Sequence, residues 1–222
     1  MNSGALQVMD VLRSAGHEAV LAGGCVRDLL LGLRPNDFDI ATSAPPETVA
    51  ALFPRSVAVG AQFGVIMVIH EGQPYQVATF RSDRAYVDGR HPEGVVFSSA
   101  AEDAARRDFT VNGLFYDPAT GEVLDYVGGL KDLGEKWLRA IGNPEQRLAE
   151  DSLRLLRAVR FTATLDFQMD PATFEAVRAH AAEIRRVSAE RVREELCRCM
   201  ISPARVRALD LLESTGLLRE IL

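Results

Sequence analysis

The stretch Gly23-Gly24-Cys25-Val26-Arg27-Asp28, followed by Asp37-Phe38-Asp39, is the one around which the rest of the chain is organised. The four apolar residues before it, 19–22, end at the two glycines, a pattern that predicts a buried strand entering a tight turn. Apolar residues then recur at helical spacing from 26 to 33, which places Gly24 at the start of a predicted helix. Because glycine lacks a Cβ and helix N-termini favour anions, this turn is suited to phosphate.

The acid pair Asp37 and Asp39 comes after breaks at Gly32 and Pro35. Residues 37–40 alternate polar and apolar, which predicts a strand with both carboxylates on one face and the intervening apolar side chains towards a core. Two carboxylates beside a phosphate-binding turn are suited to Mg²⁺ carried by a nucleoside triphosphate. Taken separately, a Gly-Gly turn is more often only a turn, and Asp-x-Asp is more often a solvated strand edge.

Together the two motifs form the run GGCVRDLLLGLRPNDFDIAT, residues 23–42, which closely resembles the head motif of class II tRNA nucleotidyltransferases and bacterial poly(A) polymerases. The resemblance implies that Gly23, Gly24 and Arg27 hold the triphosphate. It also implies that Asp37 and Asp39 are the catalytic residues and bind two Mg²⁺ ions. It covers head and neck, and we expect the body and tail domains of such relatives to be absent from this chain.

The order of predicted elements sets the fold class. A leading helix at 3–15, a helix at 47–53 and strands near 56–59, 65–69 and 75–80 predict an α/β (α+β) nucleotidyltransferase head with one mixed sheet flanked by helices. From Asp170 onward the pattern is helical, which predicts an all-α neck. We therefore expect a head domain at 1–140 and a helical neck domain, concerned with recognition of the nucleotide base, at 141–222.

The stretch RSDRAYVDGRHP, residues 81–92, is polar and contains glycine, which predicts a surface loop. It could be a plain connection between strands. The resemblance implies instead the flexible loop that family members need when the incoming nucleotide is ATP. Its functional residues would be Asp83, Tyr86, Asp88 and Arg90, and their presence predicts that the chain can incorporate A.

The stretch RRDFTVN, residues 106–112, offers planar guanidinium donors for phosphate and a carboxylate that can accept from a hydroxyl. Considered alone, such charges would more often decorate a surface. The stretch resembles the family's ribose-selecting motif, which implies that Arg107, Asp108 and Asn112 bind the ribose and phosphates.

Residues 150–161 read EDSLRLLRAVRF, with Asp151, Arg154 and Arg157 at i, i+3 steps that predict one ridge of a helix. Cytosine and adenine both display an exocyclic amine beside a ring-nitrogen acceptor, so one Asp/Arg pair can accept both and leave uracil and guanine unpaired. The alternative is an intrahelical salt bridge worth about 0.3–0.5 kcal/mol. The resemblance implies that Asp151 and Arg154 read the base, with Arg157 beside them.

One position departs from the family pattern. Relatives generally carry Glu where this chain has Gln76, in the predicted strand that leads to the polar loop. A carboxylate there would help the acid pair hold metal, whereas glutamine keeps the shape and loses the charge. Either metal affinity falls, or Asp37 and Asp39 suffice without it.

Composition narrows the class of protein. The formal net charge of −6 argues against a uniformly basic nucleic-acid binder, and no apolar run is long enough to span a membrane. The first residues do not match a secretory signal, and three cysteines in no zinc-like spacing favour a reducing cytoplasm. We expect no membrane partner.

These patterns predict a template-independent RNA nucleotidyltransferase. It would add CMP and/or AMP to the 3′ end of tRNA from CTP and ATP, with Mg²⁺ as cofactor. Three alternatives stay open at this point: a poly(A) polymerase, a tRNA nucleotidyltransferase that adds only A, and a catalytically silent RNA-binding module.

Overall fold

The computed structural model describes residues 2–60, 63–83 and 95–222. Its described residues form two compact units. The first lies within 1–85, 92–107 and 111–129, and the second comprises 108–110 and 130–222. The chain thus divides between Gly129 and Leu130, and a short piece of the ribose-selecting motif belongs to the second unit. The predicted domain boundary at 140 stays a prediction.

The elements of the first unit are α1 Ser3–Ser14, β1 Ala19–Ala22, α2 Gly24–Leu30, β2 Ile40–Thr42, α3 Pro46–Leu52, β3 Ser56–Gly60, β4 Val65–His70, β5 Gln73–Thr79, β6 Arg81–Asp83, β7 Val95–Phe97, α4 Ala100–Ala105, β8 Leu114–Asp117 and β9 Glu122–Asp125. They follow the predicted order as far as β5, and four further described strands, β6 to β9, come after the predicted ones. The helix after the glycine turn ends at Leu30, and Gly32, at φ 71°, follows its C-cap, in agreement with the predicted break at this glycine.

Seven of the described strands form one sheet in the order β3-β4-β5-β2-β1-β8-β9. β2 and β5 are parallel and the other neighbours are antiparallel, so the sheet is mixed, as the sequence predicts. β6 and β7 pair separately as an antiparallel two-stranded sheet, so part of the predicted polar loop is strand.

The two faces of the sheet are buried by different elements. Leu21, Ile40 and Val77 lie in register on one face and are fully buried. α1 packs against β1 and β2, and α3 packs against β3, β4 and β5. On the opposite face Val20 and Ala41 join a core cluster with alanines of α4. Because side chains alternate between the two faces of a strand, Asp39, which precedes Ile40, lies on the face that α4 covers.

The acid pair lies just before a strand rather than within one. β2 begins at Ile40, so the predicted strand over residues 37–40 is wrong by three positions. The chain pairs with strands on both sides only from Ile40 onward, with β1 on one side and β5 on the other. Phe38 is accordingly half-buried instead of facing a core, whereas Ile40 is buried.

The second unit is mainly helical, as predicted. Its elements are α5 Gly129–Glu135, β10 Trp137–Leu138, α6 Pro144–Glu150, α7 Leu153–Thr164, β11 Gln168–Met169, α8 Pro171–Ala179, a 3₁₀ helix Ala181–Arg186, α9 Ala189–Met200, α10 Arg205–Ser214 and α11 Leu217–Ile221. The central helix α7 buries Leu155, Leu156 and Val159 completely and packs against α6, α9 and α10.

The predicted ridge of Asp151, Arg154 and Arg157 is wrong at its first member. Asp151 has extended backbone angles, φ −142° and ψ 105°, and ends α6, while α7 begins at Leu153. Its carboxylate accepts the N–H of Leu153 at 3.0 Å, and its carbonyl accepts the N–H of Arg154 at 2.9 Å. Asp151 therefore satisfies N-terminal donors of α7 instead of continuing the helix.

None of the helices in the described part of the chain is long and apolar enough to cross a membrane. All three cysteines are free. Burial raises the pKa of the Cys25 and Cys199 thiols to about 11, so both stay protonated at neutral pH.

Candidate active site

The glycine turn lies where β1 passes into α2. Gly23 has φ 73° and ψ −131°, a conformation that side chains other than glycine rarely adopt. Its N–H donates to the carbonyl of Leu114 at 3.0 Å, and its carbonyl accepts from Val26 and Arg27 at 3.1 Å. A Cβ on Gly23 would lie 2.8 Å from Nη1 of Arg107. The backbone conformation therefore requires glycine, and a side chain here would in addition have to displace the guanidinium of Arg107.

Two guanidinium groups flank this turn. Nη1 of Arg27 donates to Oδ1 of Asn112 at 2.6 Å, while its Nε and Nη2 donate to Asp28 at 2.9 and 2.7 Å. Nη1 of Arg107 reaches the carbonyl of Asn112 at 3.5 Å, and its guanidinium lies 5.0 Å from the centroid of Phe115. The structure thus brings together Gly23, Gly24, Arg27, Arg107 and Asn112, all named from sequence.

The acid pair Asp37 and Asp39 lies beside the same turn, because the N–H of Ala22 donates to the carbonyl of Asp39 at 3.0 Å. Asp37 is exposed and Asp39 is half-buried. Burial raises the pKa of Asp39, Arg107 opposes the shift, and the charge of Asp37 adds to it. The side-chain oxygens of the pair accept no hydrogen bond from any residue that the structure describes.

Two neighbouring carboxylates whose oxygens accept from no described protein donor are a suitable ligand set for a hard divalent cation, which would offset the cost of placing the two charges together. Within residues 2–60, 63–83 and 95–222 no group of three or more His, Cys, Asp or Glu side chains forms a metal cage. A cation held here would therefore take its remaining oxygen ligands from water and from phosphate, as Mg²⁺ does in nucleotide sites.

Gln76 lies next to the acid pair across the sheet. β2 and β5 pair in parallel with Ile40 opposite Val77, and one step back in that register Asp39 stands beside Gln76. The side chain of Gln76 is exposed and shares the face of Asp39. The position at which the resemblance implies a carboxylate is therefore adjacent to the candidate metal ligands.

In the second unit, the carboxylate of Asp151 and the guanidinium of Arg154 are both held by neighbours. Oδ2 of Asp151 accepts from Nη2 of Arg191 on α9 at 3.0 Å. Nη1 of Arg154 donates to the carbonyl of Arg147 at 2.7 Å and to Oε2 of Glu150 at 2.5 Å. Arg154 is only 8% exposed, so its position is tightly determined. That these two side chains read a base stays a prediction.

Asp108 and Arg157 bind each other. Nε and Nη2 of Arg157 donate to Oδ2 of Asp108 at 2.8 and 2.6 Å, and the other carboxylate oxygen accepts the N–H of Phe109. Burial alone would lower the pKa of Arg157, but Asp108 outweighs it and raises the pKa. Sequence grouped Asp108 with Arg107 and Asn112, and Arg157 with Asp151. In the structure Asp108 and Arg157, which the sequence places in different motifs, bind each other.

The predicted loop residues fall largely outside the described part of the chain. Tyr86, Asp88 and Arg90 are among the residues that the structure does not describe. The backbone of Asp83 ends β6, opposite Val95. The role of all four in accommodating ATP stays a prediction.

Asp103 is a site residue that sequence reasoning missed. It is 1% exposed on α4, and its two oxygens bind the guanidinium groups of Arg106 and Arg107. Its spacing of four residues before Arg107 was the available signal, because i, i+4 neighbours on a helix lie on one face. In the second unit, the pair of Arg160 and Glu195 was also missed, and its separation of 35 residues has no local signature.

Residues 19–139, more than half of the chain, match the family model described as "Poly A polymerase head domain". The chain belongs to this family. Residues 166–222 match a second model, described as "Probable RNA and SrmB- binding site of polymerase A". The family predicted from the glycine turn and the acid pair is confirmed.

Relatives and solved structures agree with this membership. A CCA-adding enzyme of Streptococcus pyogenes is 45% identical over 200 residues, which are 90% of this chain and 50% of that relative. A structure of the Bacillus stearothermophilus CCA-adding enzyme in complex with CTP is 40% identical with a TM-score of 0.89, covering 97% of this chain and 52% of that one. A tRNA nucleotidyltransferase complexed with a primer tRNA and an incoming ATP analog is 26% identical with a TM-score of 0.79, covering 97% and 62%.

The chain spans about half the length of the curated relatives it matches. Over that half, the similarity confirms the predicted fold class: a mixed sheet flanked by helices, followed by a helical region. Families of nucleotidyltransferases typically use divalent metals, which agrees with the donor set of the acid pair.

Proposed function

We propose that this chain transfers CMP and/or AMP from CTP and ATP to the 3′ end of tRNA without a template. The observation that carries the proposal is the position of the acid pair beside a glycine turn flanked by Arg27 and Arg107. Similarity to CCA-adding enzymes, one of them bound to CTP, supports this choice of substrates.

In this proposal Gly23 and Gly24 let the triphosphate approach the backbone, and Arg27 and Arg107 neutralise its charge. Asp37 and Asp39 hold divalent ions, for which we propose Mg²⁺. When bound, Mg²⁺ lowers the pKa of the primer hydroxyl and stabilises charge that develops at the α-phosphate. The 3′-oxygen forms a bond to the α-phosphorus, the bond to the bridging oxygen breaks, and pyrophosphate leaves.

We propose that Asp151 and Arg154 select the base. A carboxylate oxygen can accept more than one hydrogen bond, so Asp151 can accept from an exocyclic amine while it binds Arg191 and the N–H of Leu153. Arg154, held by Glu150, would donate to the ring nitrogen of cytosine or adenine. For Arg157 we propose a supporting role, because its guanidinium holds Asp108, which would then accept from the ribose.

A second candidate is addition of A alone, either to tRNA ending in CC or as a poly(A) tail. The description of the matching family model as a poly A polymerase head domain favours this candidate. A poly(A) polymerase would use the same acid pair and glycine turn and differ in the primer it extends.

The experiment that separates these functions offers labelled CTP and labelled ATP, one at a time and together, to three RNAs. These are tRNA without its terminal CCA, tRNA ending in CC, and an unstructured RNA. CCA addition predicts C and then A on the first RNA. Addition of A alone predicts extension of the second RNA only, and long tails on the unstructured RNA indicate a poly(A) polymerase.

Two variants complete this experiment. Asp39→Ala should abolish incorporation, and retained activity would contradict the metal assignment. Asp10→Ala, at an exposed position on α1 in the same unit, should leave incorporation unchanged. No incorporation by the parent chain into any of the RNAs would favour a silent RNA-binding module instead.

We also propose a cytoplasmic location. The three cysteine thiols are free, and two are buried in helices, which suits a reducing compartment.

A further inference from the structure

Asp103 is held as a fixed point on α4. Its Oδ1 accepts from Nε and Nη2 of Arg106 at 2.9 and 2.6 Å and from the backbone N–H of Arg81 at 3.3 Å. Nε of Arg106 also donates to the carbonyl of Arg81 at 3.0 Å. Asp103 is 1% exposed, so its carboxylate is held in one position beside the next arginine.

That next arginine is Arg107. Its Nε and Nη2 donate to Oδ2 of Asp103 at 3.1 and 2.8 Å. This two-pronged bond fixes the plane of the guanidinium against the ring of Phe115 and directs Nη1 towards Gly23. Burial would raise the pKa of Asp103, but the charges of Arg107 and Arg106 lower it, so the carboxylate is ionised at neutral pH.

Asp39, a member of the acid pair, is a second anionic group that Arg107 influences. The carbonyl of Asp39 is bonded to Ala22, the residue before Gly23, and Arg107 acts electrostatically on the carboxylate of Asp39. If Asp103 did not hold it, the guanidinium of Arg107 could pair with the carboxylates of Asp37 and Asp39, which have no described protein partner. An ion pair formed there would occupy the oxygens that a divalent cation needs.

We propose that Asp103 is a positioning residue of the nucleotide site, which holds Arg107 beside the glycine turn and keeps its guanidinium from pairing with Asp37 and Asp39. The inference rests on the proposed function, because it assigns the acid pair to a divalent cation and Arg107 to the triphosphate. It adds that a buried carboxylate outside the sequence motifs keeps these two charges apart.

The test measures binding instead of turnover, on the full chain. Mn²⁺ affinity is measured by electron paramagnetic resonance of the free ion, and CTP affinity by calorimetry with Mg²⁺ present. The variants are Asp103→Asn, Arg107→Gln and the double variant. Asp103→Asn should raise the Kd for Mn²⁺ about tenfold, because Arg107 then binds the acid pair.

The double variant carries the decisive result. Arg107→Gln alone should not weaken Mn²⁺ binding, and adding it to Asp103→Asn should restore the Mn²⁺ Kd to within about twofold of Arg107→Gln alone. For CTP, the Kd should rise about tenfold in both single variants and no further in the double variant. A Mn²⁺ Kd unchanged by Asp103→Asn, or a loss that Arg107→Gln does not restore, would overturn the inference.

A second comparison covers the case in which Asp103→Asn does not fold. Arg107→Lys keeps the positive charge but cannot make the two-pronged bond to Asp103, so it should weaken Mn²⁺ binding where Arg107→Gln does not. Equal Mn²⁺ affinities in the lysine and glutamine variants would also overturn the inference.

Asp132→Asn is the matched control. Asp132 is another buried carboxylate, which accepts from Thr110 and Arg139 in the second unit. Its loss should lower the unfolding temperature and leave the Mn²⁺ Kd unchanged. If the parent chain binds CTP and Mn²⁺ and the Asp103 variants behave like it, only this inference fails. If the parent chain binds neither, the proposed function fails with it.

Discussion

The carboxylates of the two candidate sites differ in what surrounds them. In the first unit, the carboxylate oxygens of Asp37 and Asp39 accept no hydrogen bond from a described residue, and burial raises the pKa of Asp39. In the second unit, Asp151 is bonded to Arg191 and Asp108 to Arg157. The difference is in keeping with the two roles proposed above, in which the first pair binds a cation and the other acids are held in place by hydrogen bonds to arginines.

The contrast also concerns stability. An ionised carboxylate that is partly desolvated and unpaired costs folding free energy, while for a buried carboxylate bonded to arginine most of this cost is offset until its partner is removed.

Replacing Asp39 by Asn should lower nucleotide incorporation by at least about 10³-fold, because the cation loses a ligand. It should not lower the unfolding temperature measured without divalent ions. The pKa of Asp39 is raised in the fold, so at neutral pH its ionised form opposes folding, and a neutral amide removes that cost. Incorporation assays and thermal unfolding test the two halves. A clear loss of stability would show that Asp39 is a structural residue.

Replacing Arg154 by Ala should, unlike the change at Asp39, lower the stability of the fold. The change removes the donor held between Glu150 and the carbonyl of Arg147, and should cost about 1.5–3 kcal/mol of unfolding free energy, because Glu150 keeps its bond to Arg147. In chain that remains folded, discrimination of CTP and ATP against UTP and GTP should fall by about 10–100-fold. Denaturant unfolding and competition between labelled nucleotides measure these effects. Unchanged discrimination would remove Arg154 from base reading.

Replacing Gln76 by Glu should increase the affinity of the candidate metal site for Mg²⁺. The new carboxylate would stand beside Asp39 in the β2–β5 register and add a third negative group. The Mg²⁺ concentration needed for half-maximal rate should then fall by about three- to tenfold. A titration of rate against Mg²⁺ measures it, with Gln73→Glu at the exposed start of the same strand as control. No shift would mean that Asp37 and Asp39 suffice.

The smallest effect concerns His180, which lies between Glu183 at 2.9 Å and Glu145 at 2.5 Å. The hydrogen bond to Glu183, with that to Glu145, raises the pKa of His180. The imidazolium therefore contributes stability that is complete below about pH 6.5 and is lost as pH rises through the raised pKa. His180→Gln should remove about 0.5 kcal/mol at pH 6 and almost nothing at pH 9. Denaturant unfolding at both pH values tests this sign.

Much of the first site could be predicted because its signals are local. The glycine turn, the short apolar strand before it and the acid pair lie within about twenty residues. The local pattern of residue types in each predicts the backbone conformation of that segment. The error at residues 37–40 arose because alternation alone does not show where a strand gains its neighbours. Similarly, the spacing of Asp151 and Arg154 matched a helix that in fact begins after Asp151.

The glycine turn, the acid pair, the elements as far as β5 and the family all follow from the sequence, because each is a pattern of residues close together along the chain. Which charges meet is decided by the tertiary structure. Arg157 binds Asp108, 49 residues away, and Arg27 binds Asn112, 85 residues away. It also decided which carboxylates are left for a ligand. Hydrogen-bond partners and burial depend on packing between distant segments, and no local spacing encodes them.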